Sequence, residues 1–169
     1  ALRAVGIDPT YWHANEGHAA FHLLERLREE VSAGATFAEA CEQIRPKTVF
    51  TTHTPVAAGH DVFDRELMDR YFGHFWPQLG ISREEFYALG YHENSGEGFN
   101  LTALSMRLAD FRNGVSEKHG EITREMWADI WPDVPVDEVP VTSITNGVHL
   151  QTWMTSPTNR ALRRWFPGW

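Results

Sequence analysis

The stretch Tyr11-Trp12-His13-Ala14-Asn15-Glu16-Gly17-His18-Ala19-Ala20-Phe21 decides the fold, because it begins as a short strand and continues as a helix. Its polar side chains, His13, Asn15, Glu16 and His18, lie where the strand gives way to the helix. A second run, Val49-Phe50-Thr51-Thr52-His53-Thr54-Pro55, is rich in β-branched residues, carries a histidine at its end and is stopped by proline. In an open α/β sheet, ligands bind where strands end and helices begin. The two strand ends therefore predict one polar pocket.

A zinc site is an alternative interpretation of the first run, since two histidines and a glutamate lie close together as in some metalloproteases. Gly17 separates Glu16 from His18, which puts His13 and His18 five positions apart. On a helix of 3.6 residues per turn, they would point about 140° apart. We therefore predict no metal site. Two structural interpretations stay open: His13 as a half-buried strand residue, and Asn15 as the cap of a helix that starts near Gly17.

Helix and strand signals alternate along the chain. Apolar residues at near-helical spacing predict a helix over 17–30, and Thr36 followed by Glu39 predicts a capping box at the start of a second helix. A strand over 47–52 would complete a unit of two parallel strands joined by helices. The remaining predictions are helices over 62–72, 82–89, 101–111 and 117–127, strands over 113–116 and 139–145, an aromatic turn over 73–77, a loop over 90–100 and an exposed proline-rich connection over 132–140.

Charge and cysteine content exclude some classes of protein. The formal net charge is -8, which argues against a nucleic-acid partner because phosphate contacts demand a basic surface. A neutral carbohydrate makes no such demand. The single cysteine, Cys41, cannot form an internal disulfide and is expected to be buried on a helix. We expect a reducing, cytoplasmic setting and, since no apolar run reaches the length of a membrane span, no membrane partner.

Five motifs occur in the order found in α-glucan phosphorylases, and the sequence resembles the bacterial and archaeal branch of that glycogen, starch and maltodextrin phosphorylase family. Together they cover nearly the whole chain and are more specific than any one alone. Members of the family are several times longer, and neither Ala1 nor Trp169 resembles a natural terminus, so we expect an internal segment. The motifs are 13–21, 51–61, 99–102, 113–120 and 144–153.

The resemblance implies an α/β fold, namely a Rossmann-like parallel-sheet segment of the N-terminal domain of a two-domain glycosyltransferase of the GT-B type. Residues 1–146 would belong to that domain, and residues 147–169 would begin the crossing into a C-terminal cofactor domain. The implied reaction is the reversible phosphorolysis of α-1,4-glucan to glucose 1-phosphate. The implied partners are therefore α-1,4-glucan or maltodextrin and inorganic phosphate.

The resemblance also assigns candidate site residues. His53 matches the family histidine that lies against the transferred glucosyl unit, and a neutral imidazole can both donate and accept a hydrogen bond to a sugar hydroxyl. We therefore predict His53 as the catalytic residue. Asn146 matches the asparagine that binds the same sugar, although a turn role explains it equally well. Asn15, Glu16 and His18 match the stretch that lines the pocket and are predicted to bind substrate.

The family's cofactor is pyridoxal 5'-phosphate, held by a lysine in the C-terminal half. The chain has two lysines, Lys47 and Lys118, and neither resembles that motif. We therefore expect no cofactor-binding residue in this segment and no turnover by the segment alone.

Three other functions stay open at this point. One is a nucleotide-sugar-dependent glucan synthase, which shares the two-domain architecture. Another is a glycoside hydrolase that uses two carboxylates drawn from Glu16, Glu93 and Glu97. The third is a non-catalytic glucan-binding module, which would bind oligosaccharide without turnover.

Overall fold

The computed structural model describes residues 2–166 and 168. Within them, a four-stranded parallel sheet consists, in spatial order, of β1 (Trp12–Asn15), β2 (Thr48–Thr52), β5 (Phe111–Gly114) and β6 (Thr142–Ser143). A separate antiparallel pair joins β3 (Val62–Phe63) to β4 (Phe99–Asn100). The helices are α1 (Phe21–Ser32), α2 (Phe37–Ile44), α3 (Arg65–Phe72), α4 (Arg83–Leu89), α5 (Leu101–Leu108), α6 (Glu117–Met126), α7 (Leu150–Trp153) and α8 (Ser156–Trp165).

The predicted α/β class is confirmed, and so is the unit of two parallel strands joined by helices. β1 leads through α1 and α2 into β2, which lies parallel beside it. The capping box predicted at α2 is present, with the N–H of Thr36 donating to Glu39 Oε2 at 2.8 Å. α4 begins with a second capping box, made by Ser82 and Glu85. Cys41 is buried on α2, as predicted.

The two faces of the sheet differ in burial. On one face, the fully buried side chains of Ala14 and Phe50 pack against α5 and against Trp127. On the other face, His13 pairs in register with Val49, and Val49 with Phe111. His13 is exposed there, and Phe111 keeps 55% of its surface accessible. Parallel sheets are normally covered on both faces, so this open face is suited to contact with another element.

Four predicted boundaries are wrong. The helix over 62–72 loses its first turn, because Val62–Phe63 pairs with β4 and the side chain of Asp64 caps α3 by accepting the N–H of Leu67. The helix over 101–111 ends at Leu108, and Phe111 instead begins β5. The strand over 139–145 shrinks to the two residues of β6. It is this short because only Thr142 and Ser143 pair with β5. The strand over 113–116 is instead β5 at Phe111–Gly114, because Phe111 pairs with Val49 and Ser116 caps α6 by accepting the N–H of His119. In the first, second and fourth cases, long-range strand pairing outweighs local propensity.

The remaining local predictions stand with small changes. The aromatic turn packs against the larger core through Phe75 and Trp76. The loop over 90–100 carries the short strand β4, whose Phe99 is fully buried. The proline-rich connection is mostly exposed, but Val139 at its end is buried in the core beneath the sheet. In the described part of the chain, no helix combines the length and apolar character that crossing a membrane requires.

Candidate functional site

The strands of a parallel sheet all end at one edge, and the predicted site residues gather there. Asn15 is the last residue of β1, and His53 follows β2 directly. Asn146 lies three residues beyond β6, with its N–H donating to the carbonyl of Val115, just after β5, at 3.1 Å. Neighbouring strands are separated by about 4.8 Å. The carboxyl edge of the sheet therefore collects Asn15, His53 and Asn146 from distant parts of the chain.

The ring of His53 is held by Asn15. Its Nε2 lies 2.7 Å from the side-chain oxygen Oδ1 of Asn15. Because an amide oxygen only accepts hydrogen bonds, Nε2 carries the proton and the neutral ring leaves Nδ1 as its acceptor. His53 can therefore accept a hydroxyl proton at Nδ1, while its donor is already used within the protein. The sequence predicted that the ring could both donate a hydrogen bond to a sugar and accept one from it. In the structure only the accepting nitrogen, Nδ1, is left for the sugar.

Asn15 is not the helix cap that one interpretation predicted. The cap of the 3-10 turn Gly17–Ala19 is Glu16, whose Oε1 accepts the N–H of Gly17 at 3.2 Å. The amide of Asn15 is instead turned across to β2 and holds His53. The prediction of a cap at this junction is therefore correct, but the capping residue is Glu16 and not Asn15. The side chain of Glu16 folds onto the N–H of the next residue, Gly17.

The carboxylate of Glu16 is the centre of the hydrogen-bond network at this edge. Its Oε2 accepts the backbone N–H of His53 at 2.7 Å and the hydroxyl of Thr54 at 3.0 Å. Its Oε1 accepts the hydroxyl of Thr52 at 3.2 Å as well as the Gly17 N–H. Burial acts to raise the pKa of Glu16, but these hydrogen bonds outweigh it and leave the pKa below its ordinary value. Glu16 is therefore an ionised acceptor that ties the end of β1 to the end of β2.

The backbone of Glu16 is strained. Its φ is +71° and its ψ is 165°, and no other non-glycine residue in the described ranges has positive φ. That region is essentially reserved for glycine, and an outlier of this kind costs about 1 to 3 kcal/mol. The strain is retained because it aims the Glu16 carboxylate at His53 while the chain turns into Gly17.

Gly17 allows α5 to approach this turn closely. A Cβ on Gly17 would lie 2.7 Å from Thr102 Oγ1 and 3.3 Å from the backbone nitrogen of Thr102. The same Thr102 hydroxyl lies 3.0 Å from Nδ1 of the buried His60. His18, the next residue of the turn, is exposed. His18 thus lies in the turn that follows β1, with its side chain open to solvent.

A chain of polar side chains crosses three strands on the open face of the sheet. Thr51 Oγ1 donates to Asn113 Oδ1 at 2.8 Å and accepts from His13 Nε2 at the same distance. The prediction that His13 is half-buried is wrong, since its side chain is exposed. No local sequence pattern reveals this chain or the hydroxyls of Thr52 and Thr54 around Glu16. Their roles depend on strand register, which sequence spacing does not reveal.

The three candidate carboxylates offer no buried general acid of the kind that glycosidases use. A general acid requires a raised pKa, whereas that of Glu16 is lowered. Glu97 is on the surface, with its side chain 88% exposed and 3.8 Å from Arg65. Glu93 is exposed in the same loop. The geometry gives no support to the two-carboxylate reading.

Both lysines of the chain are exposed. Lys118 is 76% exposed and pairs with Glu121 at 2.8 Å. Lys47 directly precedes β2, at the opposite edge of the sheet from His53. Within the residues described, no three histidine, cysteine or acidic side chains are grouped to hold a metal ion.

The described residues thus form a Rossmann-like α/β segment with a polar site at the carboxyl edge of its sheet. Several known proteins are similar to this chain in sequence. The chain is 42% identical to the maltodextrin phosphorylase of Thermococcus litoralis over 164 residues, which is 97% of this chain and 19% of that protein. It is 43% identical to the glycogen phosphorylase of Mycobacterium tuberculosis over 152 residues, 86% of this chain and 18% of that protein. It is 33% identical to the glycogen phosphorylase of Aquifex aeolicus over 160 residues, 94% of this chain and 23% of that protein.

These similarities confirm the resemblance inferred from the motifs. The chain is homologous to a segment of the α-glucan phosphorylases, and it spans about one fifth of the length of the relatives it matches. No protein-family model matches the sequence.

Proposed function

We propose that this chain is the part of an α-glucan phosphorylase that binds the glucosyl unit during reversible phosphorolysis of α-1,4-glucan to glucose 1-phosphate. The observation that carries the proposal is the Asn15–His53 pair at the carboxyl edge of the sheet, where Nδ1 of His53 is left as an acceptor. The names of the relatives supply the class of reaction. The substrates would be α-1,4-glucan or maltodextrin and inorganic phosphate.

The proposed roles follow the geometry of the edge. His53 contacts the transferred glucosyl unit through Nδ1. His18 and Asn146 are exposed near the same edge and bind sugar hydroxyls from either side. Asn15 and Glu16 border the pocket below them. Residues 1–146 would form part of the N-terminal domain, and residues 147–169 would lead toward a second domain. The last residue of that range, Trp169, lies outside the described residues.

Pyridoxal 5'-phosphate would be bound by the remainder of the parent enzyme, because neither Lys47 nor Lys118 fits it. When bound, that cofactor supplies the phosphate group that works with inorganic phosphate. The residues of this segment would orient the sugar. A reducing cytoplasmic setting would suit such an enzyme and the buried thiol of Cys41.

The test is an assay of the full-length protein that contains this segment, with maltodextrin as substrate. We expect glucose 1-phosphate to appear only when inorganic phosphate is present. Release of free sugar without phosphate would identify a hydrolase, and glucan extension from a nucleotide sugar would identify a synthase. Binding of maltodextrin without turnover would identify a binding module. Each of these three outcomes contradicts the proposal.

A further inference from the structure

Two consecutive residues at the end of β1 hold one residue at the end of β2. Asn15 Oδ1 fixes the ring of His53 at Nε2, and Glu16 Oε2 fixes the backbone of His53 at its N–H, both at 2.7 Å. The ring and the main chain of His53 are thus restrained independently. We call Asn15 and Glu16 the strand-end clamp.

We propose that the strand-end clamp consists of positioning residues, which act on the sugar only through His53 and do not bind it themselves. This inference rests on the proposed function for the identity of the sugar, but the geometry of the clamp is independent of it. Asn15 determines which ring nitrogen of His53 is protonated. Glu16 fixes the position of the His53 backbone, from which the side chain extends. The sequence predicted that both residues bind substrate, whereas in this proposal they position the residue that does.

The bonding capacity of the Glu16 carboxylate is the first argument. Two carboxylate oxygens offer about four lone-pair sites. In Glu16, four donors already occupy them, from His53, Thr54, Thr52 and Gly17. A sugar hydroxyl would have to displace one of these donors, at the cost of a charge-assisted hydrogen bond. Glu16 is therefore committed to the protein.

The backbone of Glu16 is the second argument. A side chain that only bordered a pocket would not require a conformation with φ +71° and ψ 165°. Backbone strain persists only where the surrounding contacts over-determine it. At this position, the contacts that do so are the hydrogen bonds to β2 and to the residues that follow it. The strained turn thus serves the connection to His53.

The hydrogen bond of Asn15 is the third argument. Its Oδ1 accepts from His53, and an amide in the reverse orientation would set Nδ2 donors against Nε2 and place the ring proton on Nδ1. The observed orientation keeps Nδ1 as the free acceptor. Asn15 thus selects the form of His53 that can accept a hydrogen bond from a sugar hydroxyl.

The decisive experiment is a double-mutant cycle in the full-length protein, with maltodextrin and inorganic phosphate as substrates. We expect Asn15→Ala to lower kcat/KM about tenfold, the size of one well-placed hydrogen bond. In a His53→Ala background, the same change should alter kcat/KM less than about twofold, because the imidazole through which Asn15 acts is already absent. The exposed loop residue Asn94 provides the matched control, since Asn94→Ala should leave kcat/KM unchanged. Equal effects of Asn15→Ala in both backgrounds would show direct sugar binding and overturn the proposal.

A near-isosteric variant separates positioning from simple structural support. In Asn15→Asp, a carboxylate would face Nε2 and stabilise the imidazolium form of the His53 ring. Because the proposal requires a neutral ring, the acidic limb of the kcat/KM profile should move to higher pH. An unmoved acidic limb in a folded variant would overturn the proposal.

Nitrogen-15 NMR of histidine-labelled protein gives a readout that does not depend on turnover. At pH 8, His53 should have a protonated Nε2 and a bare Nδ1, and Asn15→Ala should mix the two tautomers. A protonated Nδ1 in the unchanged protein would refute the clamp. If the clamp signals are found but no phosphorolysis occurs, the proposed function fails and the clamp stands.

Discussion

The carboxylate of Glu16 accepts the backbone N–H of His53 at 2.7 Å, although the two residues are 37 positions apart. This bond joins the carboxyl ends of two adjacent parallel strands. It also explains why a charged residue occupies a backbone conformation that normally belongs to glycine. Asn15, which precedes Glu16, holds the ring of the same histidine.

The strain at Glu16 predicts an unusual order of stabilities. Both Glu16→Ala and Glu16→Gly lose the carboxylate, but only glycine relieves the positive φ. The glycine variant should therefore be more stable than the alanine variant by about 1 to 2 kcal/mol. The difference is measured from the midpoints of thermal unfolding of the full-length protein.

The matched control for this order is Glu42, an exposed residue within α2. At that position, glycine should be less stable than alanine by about 1 kcal/mol, as in any helix interior. The difference in stability between the glycine and alanine variants should therefore have opposite signs at Glu16 and Glu42. Alanine more stable than glycine at both positions would show that Glu16 carries no backbone strain.

Acid should weaken the bond network of Glu16. Its pKa is lowered in the folded protein because hydrogen bonds to the carboxylate outweigh burial. A lowered folded pKa contributes stability above the unfolded value of about 4.3, and this is lost as pH falls through the folded pKa. The Tm difference between the unchanged protein and Glu16→Gln should therefore be constant from pH 7 to about 5 and shrink below about pH 4. A difference that grows on acidification would contradict the lowered pKa.

Truncation of His53 should impair turnover and spare the fold. His53 is exposed after the end of β2 and carries little of the core. Its hydrogen bond to the glucosyl unit should strengthen as that ring flattens and gains charge. His53→Ala should therefore lower kcat with little change in KM, at a cost of about 2 to 4 kcal/mol. Steady-state kinetics and Tm of the full-length protein measure this, and an unchanged Tm with unchanged kcat/KM would reduce His53 to a structural role.

The isolated chain should associate and remain inactive. Trp153 is 80% exposed, Trp165 71% and Phe166 60%, and Phe111 adds apolar area on the open sheet face. Sedimentation velocity of the purified chain should reveal oligomers, and Trp165→Ser should reduce them. The chain should release no glucose 1-phosphate from maltodextrin and phosphate, even with pyridoxal 5'-phosphate added. A monodisperse chain with a cooperative unfolding transition, or one that turns over substrate, would contradict these expectations.

Local sequence was sufficient for the elements and for the class of fold. The capping box at Thr36, the strand that ends directly before His53 and the helix that begins at Leu101 are all confirmed. Each depends on interactions within a few residues, which a sequence pattern records directly. The order of the motifs likewise indicated the family that the similarities support.

The tertiary structure alone decided how the site is connected. Nothing near Asn15 or Glu16 in the sequence reveals that both hold His53, because their contacts depend on the register of two strands separated by two helices. The same is true of Phe111, which helical spacing assigned to a helix and strand pairing placed in β5. The sequence by itself determined which groups are available at the strand ends. Only the fold decided which of them are bonded to one another, since hydrogen bonds between strands depend on distance in space and not on separation along the chain.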